Sequence, residues 1–493
     1  MEKYKHKSGA MRFPQAAVRI AAAAVLLIGA LTMGLVNLFF TDEFFDMLDV
    51  STVFSNGLSG IISSQGDPQS IAAGFTVFII VSLVFCLFLK LASKEHTNAA
   101  GVIKTAVWLS VIALGLRCAA LLAWNMEPVS DFKTNYELSE LLTTIPIGYW
   151  GRFLHELGTE YTGVWSAHMP FILYQAIVIK AGISPGLLNA FYGTAACIFT
   201  ALIAKELFGN KAFATALMFA SFNPLAVLYT SVLSNQHPGV MLMAASIWII
   251  IKYRNLAGAA IGAAALGAAQ IIRPEMYPAA VGIIIFYIIS RIKGDKYAGR
   301  RAVVFAAVFI AAIIVCDICM RGGGLISGHI YSGNLGYKLC IGLNKATHGG
   351  WSEADAALLH TPELLSETLK ERITQPGNLF LLFRKVVYQF GSYSYHWIMN
   401  TAEYPLFSHI ICRRAVSAYM IIIASVAAIR LIKDKENKLF PIAIILFGYM
   451  AAYSLIEIQP RYNFIILPLL TAAAADIQMA QSKPRKKKAE RSR

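Results

Sequence analysis

Residues Val102 to Trp124 read VIKTAVWLSVIALGLRCAALLAW, and Pro128-Val129-Ser130-Asp131-Phe132-Lys133-Thr134-Asn135-Tyr136 follow almost at once. An apolar run of this length suits the hydrocarbon core of a bilayer, which takes roughly 20 residues of helix to cross. The carboxylate of Asp131 then falls where that helix should leave the membrane. The mouth of a lipid-facing helix bundle is where a lipid-borne molecule can meet an aqueous one. The remaining question is which residues elsewhere reach the same mouth.

The rest of the chain has the same character. Of its 493 residues, 57% are hydrophobic and 14% are charged, and mean hydropathy is +0.58. A soluble domain is about half apolar and a quarter charged. Here long apolar blocks alternate with short charged punctuation, which predicts an all-α polytopic membrane protein. The net charge of +15 sits in short loops and at both ends. That is the positive-inside pattern rather than a basic binding face, so no nucleic-acid partner is expected. Cys316 and Cys319 form a CxxC, but no second pair or histidine couple completes a zinc site.

Taken in order, basic residues up to Arg19 precede an apolar run from Ile20 to Phe40, too long for a signal-peptide core and read as an uncleaved span. The following loop carries Asp42, Glu43, Asp46, Asp49 and Asp67 without lysine or arginine, which places it outside. Ile71 to Leu91 returns, and Val102 to Trp124 carries Asp131 outward. From Glu127 to Met169, acids mixed with Tyr149, Trp150, Tyr161 and Trp165 predict short amphipathic helices on the membrane surface. Pro170 to Gly182 is apolar but short, and reads as surface-lying or re-entrant. Charge alternation then predicts spans at Leu187–Leu207, Ala212–Thr230, Gly239–Ile251, Leu256–Ile272, Met276–Ile289 and Ala302–Met320. Gly258 and Gly262 are spaced for close helix packing.

The division that results has two accessory helices in 1–100 and a core in 101–320 with its first outer loop at 125–169. A small extracytoplasmic loop domain occupies 321–407, three closing spans 408–481, and a basic cytoplasmic tail 482–493. The expected total is about twelve spans with both termini cytoplasmic. No internal repeat and no inverted pair of broken helices is visible. Polar residues at mid-membrane depth are few, Arg117 and Asp317 being the clearest.

The outer side of this arrangement gathers Asp131, the turn Asn235-Gln236-His237, Arg273, Glu275, Glu457, Gln459 and Arg461. Ionisable groups near lipid are costly to hold and mark function. Arginine offers a two-pronged cation for phosphate, and a partly desolvated aspartate suits a base for a hydroxyl. Each has a plainer reading. His237 can simply precede Pro238 at a helix start, and Arg273 and Arg461 can pair with Glu275 and Glu457.

At these residues the chain resembles the membrane glycosyltransferases of the GT-C fold, close to the dolichyl-phosphate-mannose–protein mannosyltransferase and aminoarabinose transferase group, a family-39-like arrangement. The resemblance covers roughly Lys104 to Gln481. It rests on Ser130-Asp131 with Tyr136, the run Asn223-Pro224, Tyr229 and Ser231, Arg273-Pro274, and Glu457-Ile458-Gln459-Pro460-Arg461-Tyr462 before a final helix. The resemblance implies a polyprenyl-phosphate-linked sugar donor, a hydroxyl-bearing acceptor and an extracytoplasmic site within the cell membrane. Asp131 would be the base, and Arg461 or Arg273 would hold the donor phosphate. Tyr136, Asn235, Gln236, His237, Glu275, Glu457, Gln459 and Tyr462 would line the substrate. The chain departs from the pattern in having Phe132, not a glutamate, after Asp131, and in its two preceding helices. The loop has no Asp-x-Asp, so neither a metal nor a cofactor is implied. The main alternative is a polytopic transporter or lipid flippase with the same residues along a pathway. A non-catalytic membrane partner is a third.

Overall fold

The computed structural model describes residues 12–39, 68–94, 99–124, 126–159, 161–331, 334–391 and 406–475. The expected acidic loop around Asp42 to Asp67, the end of the loop domain at 392–405, the last residues of the final span and the basic tail lie outside the described residues. Among the described residues every regular element is helical. Helix α1 (Arg12–Gly29) runs through a π-helical turn, Ala30–Gly34, into α2 (Leu35–Phe39), and α3 (Pro68–Lys94) and α4 (Ala99–Ala123) follow. Short helices α5 (Asp131–Thr143), α6 (Trp150–Leu157) and α7 (Met169–Lys180) then lead to α8 (Pro185–Phe208). Next come α9 (Asn210–Ser221), α10 (Pro224–Leu228), α11 (Gln236–Lys252), α12 (Leu256–Ile272), α13 (Tyr277–Ile292) and α14 (Ala298–Gly322). Three small helices, α15 (Asn334–Gly342), α16 (Glu353–Ala356) and α17 (Pro362–Thr374), precede α18 (Asn378–Gly391). The described residues end with α19 (Leu406–Lys433), α20 (Phe440–Leu455), a 3-10 segment Pro460–Ile466 and α21 (Leu467–Ala474).

Among the described residues six helices are long and apolar enough to cross a membrane, seven if α9 and α10 count as one bent span. That makes this a helical, multi-pass membrane protein by length and composition. Helices α12, α13 and α20 are apolar but shorter, at 16 or 17 residues. A 17-residue helix is about 25 Å long. Burial sorts the long helices. The span Ile71–Leu91 is only 11% buried within the protein, and those at Gly101–Ala123 and Ala298–Gly322 are 22% buried. Such faces are left to lipid. By contrast the first helix and α19 are more than half buried, and they pack on each other with α18 and α20 beside α1.

The expected span Ala212–Thr230 is broken: α9 and α10 meet at 51°. The cause is local. Pro224 has no amide hydrogen to continue the ladder, and the residue before a proline is pushed to extended backbone. Asn223 adopts that conformation, and its Oδ1 accepts from Leu225 N at 3.0 Å and Ala226 N at 3.3 Å, starting a new helix. Asp317, read as one of the few polar residues at mid-membrane depth, has partners of its own. It lies near the end of α14, bound by Arg321 at 2.8 Å, His329 at 3.0 Å and the amide of Ile330 at 2.8 Å.

The small residues of α12 do pack as their spacing suggests. A methyl group on Gly262 would stand 2.7 Å from the Ile250 side chain, and Ser246 Oγ donates to Gly262 O across the same contact at 2.7 Å. In the region 321–407, α15 to α17 form a small cluster with Tyr337, Cys340, Ile341 and Leu358 inside, tied by Arg372 to Asp355 at 2.7 Å. Helix α18 is different. Its buried side combines Leu381, Val387 and Phe390 with the polar Lys385 and Gln389, while Leu379, Phe380 and Phe383 are exposed.

Candidate active site

The residues expected at one mouth do come to one end of the bundle. The end of α4, the starts of α11 and α13, and the ends of α12 and α20 meet there. Asp131 is the first residue of α5, where a helix N-terminus favours a negative charge. Ser130 before it holds φ 52° and ψ −135° with no side-chain cap, a strained conformation for a residue with a side chain, costing of order 1–3 kcal/mol. Asp131 Oδ2 accepts from Arg461 Nη2 at 3.1 Å. The two side chains differ in setting: Arg461 is 6% exposed and Asp131 48%. Burial would raise the Asp131 carboxyl, but the Arg461 guanidinium, with His168 and Lys338 further off, outweighs it and holds the group below the usual carboxylate range.

Arg461 is fixed by more than its charge partner. Its guanidinium lies 4.9 Å from the Phe132 ring centre and 5.9 Å from that of Tyr462. Gln236 Nε2 donates to its backbone carbonyl at 2.8 Å, and Tyr229 holds the oxygen of the Gln236 amide. Pro460 opens the 3-10 segment that carries it. Glu457, the pairing partner that the sequence offers Arg461, is engaged elsewhere. Glu457 is buried and paired with Lys338, and Gln459 Nε2 donates to Glu457 Oε1 at 2.6 Å. Gln459 is itself clamped by Gln389, whose Nε2 donates to Gln459 O at 2.8 Å and whose Oε1 accepts from Gln459 N at 3.1 Å.

Arg273 forms the second cation. It is paired with Glu275, donates to Asn235 Oδ1 at 2.8 Å, and lies 5.7 Å from the Tyr462 ring centre. Tyr453 Oη donates to the other Glu275 oxygen at 3.3 Å. Tyr462 therefore stands between the two arginines. Two of the expected residues face away. Tyr136 is associated with Glu140 on its own helix. His237 gives its Nε2 proton to Tyr229 O at 3.0 Å and packs against the rings of Tyr229 and Phe464.

The structure adds residues that charge and spacing did not single out. Lys338, from α15, pairs with Glu457 and stands 5.4 Å from the Trp165 ring centre. Burial works against its charge, but Tyr462 and Glu457 more than compensate, and its pKa rises. His168 interacts electrostatically with Asp131, and the rings of Tyr161 and Trp165 meet it edge-on. Burial pushes its pKa down to about 4 against the pull of Asp131, so it is neutral at physiological pH. Its Nδ1 is buried without a hydrogen-bond partner. Here three cations, each paired with a carboxylate (Arg461 with Asp131, Arg273 with Glu275, Lys338 with Glu457), and a neutral imidazole lie among aromatic faces. That set can hold an anion and accept a proton. No protein-family model matches the chain, and no characterised protein matches it either.

Proposed function

We propose that the protein is a GT-C-like membrane glycosyltransferase, its crossings numbering about twelve. It moves a sugar from a polyprenyl-phosphate donor to a hydroxyl acceptor on the extracytoplasmic face. The observation that carries this reading is the Asp131–Arg461 pair. A half-exposed carboxylate and a buried, ring-flanked guanidinium are what a base and a phosphate holder require, and they touch. Supporting it are the second clamped arginine, Arg273, and the cationic Lys338 on the same side of Tyr462 and Glu457.

In this reading the donor phosphate competes with Asp131 for Arg461. Its oxygens take the guanidinium's fork, and Asp131, relieved of its partner, becomes a stronger base. The acceptor oxygen then attacks the sugar C1 and its proton passes to Asp131. The C1–O bond to phosphate breaks with inversion, and the lipid monophosphate leaves carrying the bond's electrons. Arg461 meets the charge growing on that phosphate, where such stabilisation matters most. The test is purified full chain with a synthetic polyprenyl-phosphate sugar and, separately, the matching nucleotide sugar. Transfer from the lipid donor is expected. Turnover of the nucleotide sugar alone overturns the proposal.

A further inference from the structure

A second polar place lies inside the bundle, away from the Asp131–Arg461 pair. Arg117, on α4, is 1% exposed. Its Nη1 donates to Ala113 O at 3.0 Å and its Nη2 to Cys197 Sγ at 3.1 Å. Its Nε is buried with no hydrogen-bond partner. Among the described residues no carboxylate pairs with it. A neutral thiol is a weak acceptor and a backbone carbonyl carries no charge, so the positive charge of Arg117 is uncompensated. A buried unpaired charge costs several kcal/mol, more in a bundle set in lipid.

The surroundings have a place for a counter-charge. Arg117 opens onto a cavity lined also by Cys197, Thr200, Asn223, His237 and Thr471. The cavity volume is about 40 Å³, room for roughly three waters at about 10–15 Å³ each. That excludes a sugar or a lipid phosphate. The guanidinium is seated by design of the neighbouring helix: a methyl group on Gly193 would come within 2.5 Å of Arg117 Nε, so only a residue without a side chain leaves the arginine lying flat against α8. Asn223 faces the same cavity with its amide nitrogen engaged only by Met420 Sδ at 3.9 Å, and its oxygen already spent on the α10 amides. The rest of the lining is mostly apolar and holds no acidic group, which leaves Arg117 and Asn223 as the donors.

We propose that this cavity is a binding site for a small monovalent anion, of the halide class, held by Arg117 with Asn223 Nδ2 as a second donor. The site is independent of the transfer chemistry. The ion offsets the buried charge and locks α4, α8 and the kink at Asn223 together. The test uses the purified full chain. Its Tm is measured in sodium chloride, sodium bromide and sodium gluconate at matched ionic strength. A saturable rise of about 1–3 °C in the halides over gluconate is expected from binding to the folded state alone. Arg117→Gln is expected to abolish that increment, while Cys197→Ala keeps it, since the thiol is not the counter-charge. Crystals soaked in bromide are expected to give an anomalous peak beside Arg117, a reading that does not depend on any variant folding. Equal Tm in halide and gluconate, an increment that survives Arg117→Gln or vanishes in Cys197→Ala, or a bromide-soaked crystal with no peak in this cavity overturns the proposal.

Discussion

Asp131 and Arg461 hold each other on unequal terms, and their variants should show it. Asp131→Asn keeps the shape and a hydrogen-bond acceptor for Arg461. The lost pairing should cost less than the ~3–5 kcal/mol of breaking a fully buried pair, because the Asp131 side chain is 48% exposed. The chain should therefore fold, while sugar transfer falls about 10²–10⁴-fold, the usual share of a general base. Single-turnover rates with the lipid donor check this, and a near-normal rate removes Asp131 from the mechanism. Arg461→Lys keeps the charge but loses the planar fork and the stacking between Phe132 and Tyr462. It should already slow transfer, and Arg461→Ala should slow it more. Full activity in Arg461→Ala would show that the phosphate sits elsewhere. Both residues were legible in the sequence because a charge at the mouth of an apolar helix stands out. Tyr136 does not join that pair, for a geometric reason. It is five residues from Asp131, about 140° round the helix at ~100° per residue, and so turns to Glu140.

At the level of elements, α18 has the sharpest consequence. Lys385 is buried, and its Nζ donates to Gly342 O and Ile456 O, both at 2.7 Å, tying the ends of α15 and α20 to α18. Burial pulls its pKa down to about 7, with Glu457 opposing. Unfolded, the amine would titrate near its ordinary value of about 10.4. Between those values the unfolded chain binds more protons than the folded one, so stability rises with pH over that window. Below about 7 the amine is charged in both states and the penalty is constant. Tm should therefore climb from pH 7 towards 10, and Lys385→Met should flatten the climb. An unchanged slope in Lys385→Met would assign the effect to another group. None of this was readable beforehand. Lys338, His168, Lys385 and Gln389 stand in polar or amphipathic stretches where such residues are ordinary, and only the packing of distant helices buries them. The kink at Asn223-Pro224 was written in the residues but lay under a continuous apolar run, so periodicity read straight across it.

For the whole molecule, the helical, membrane-borne character was the most legible property, because it depends on composition summed over long blocks. Some helix boundaries were legible too: Leu256–Ile272 coincides with α12. Sidedness is a prediction of the charge pattern. Thr134 and Arg254 are both exposed and lie on loops assigned to opposite faces. In a chain stripped of its native cysteines, Thr134→Cys should react with an impermeant reagent from outside intact cells, and Arg254→Cys only after lysis. Labelling of both from the same side would sink the assignment of the site to the extracytoplasmic face.

The partnership of Asp131 with Arg461 also has a timetable. The two residues are 330 positions apart, and a chain emerging from a ribosome at about 5–20 residues per second presents the acid some tens of seconds before its partner. A nascent chain arrested anywhere between the two would carry the carboxylate without its guanidinium. Under the proposed mechanism, transfer therefore waits until the 3-10 segment that carries Arg461 has been made.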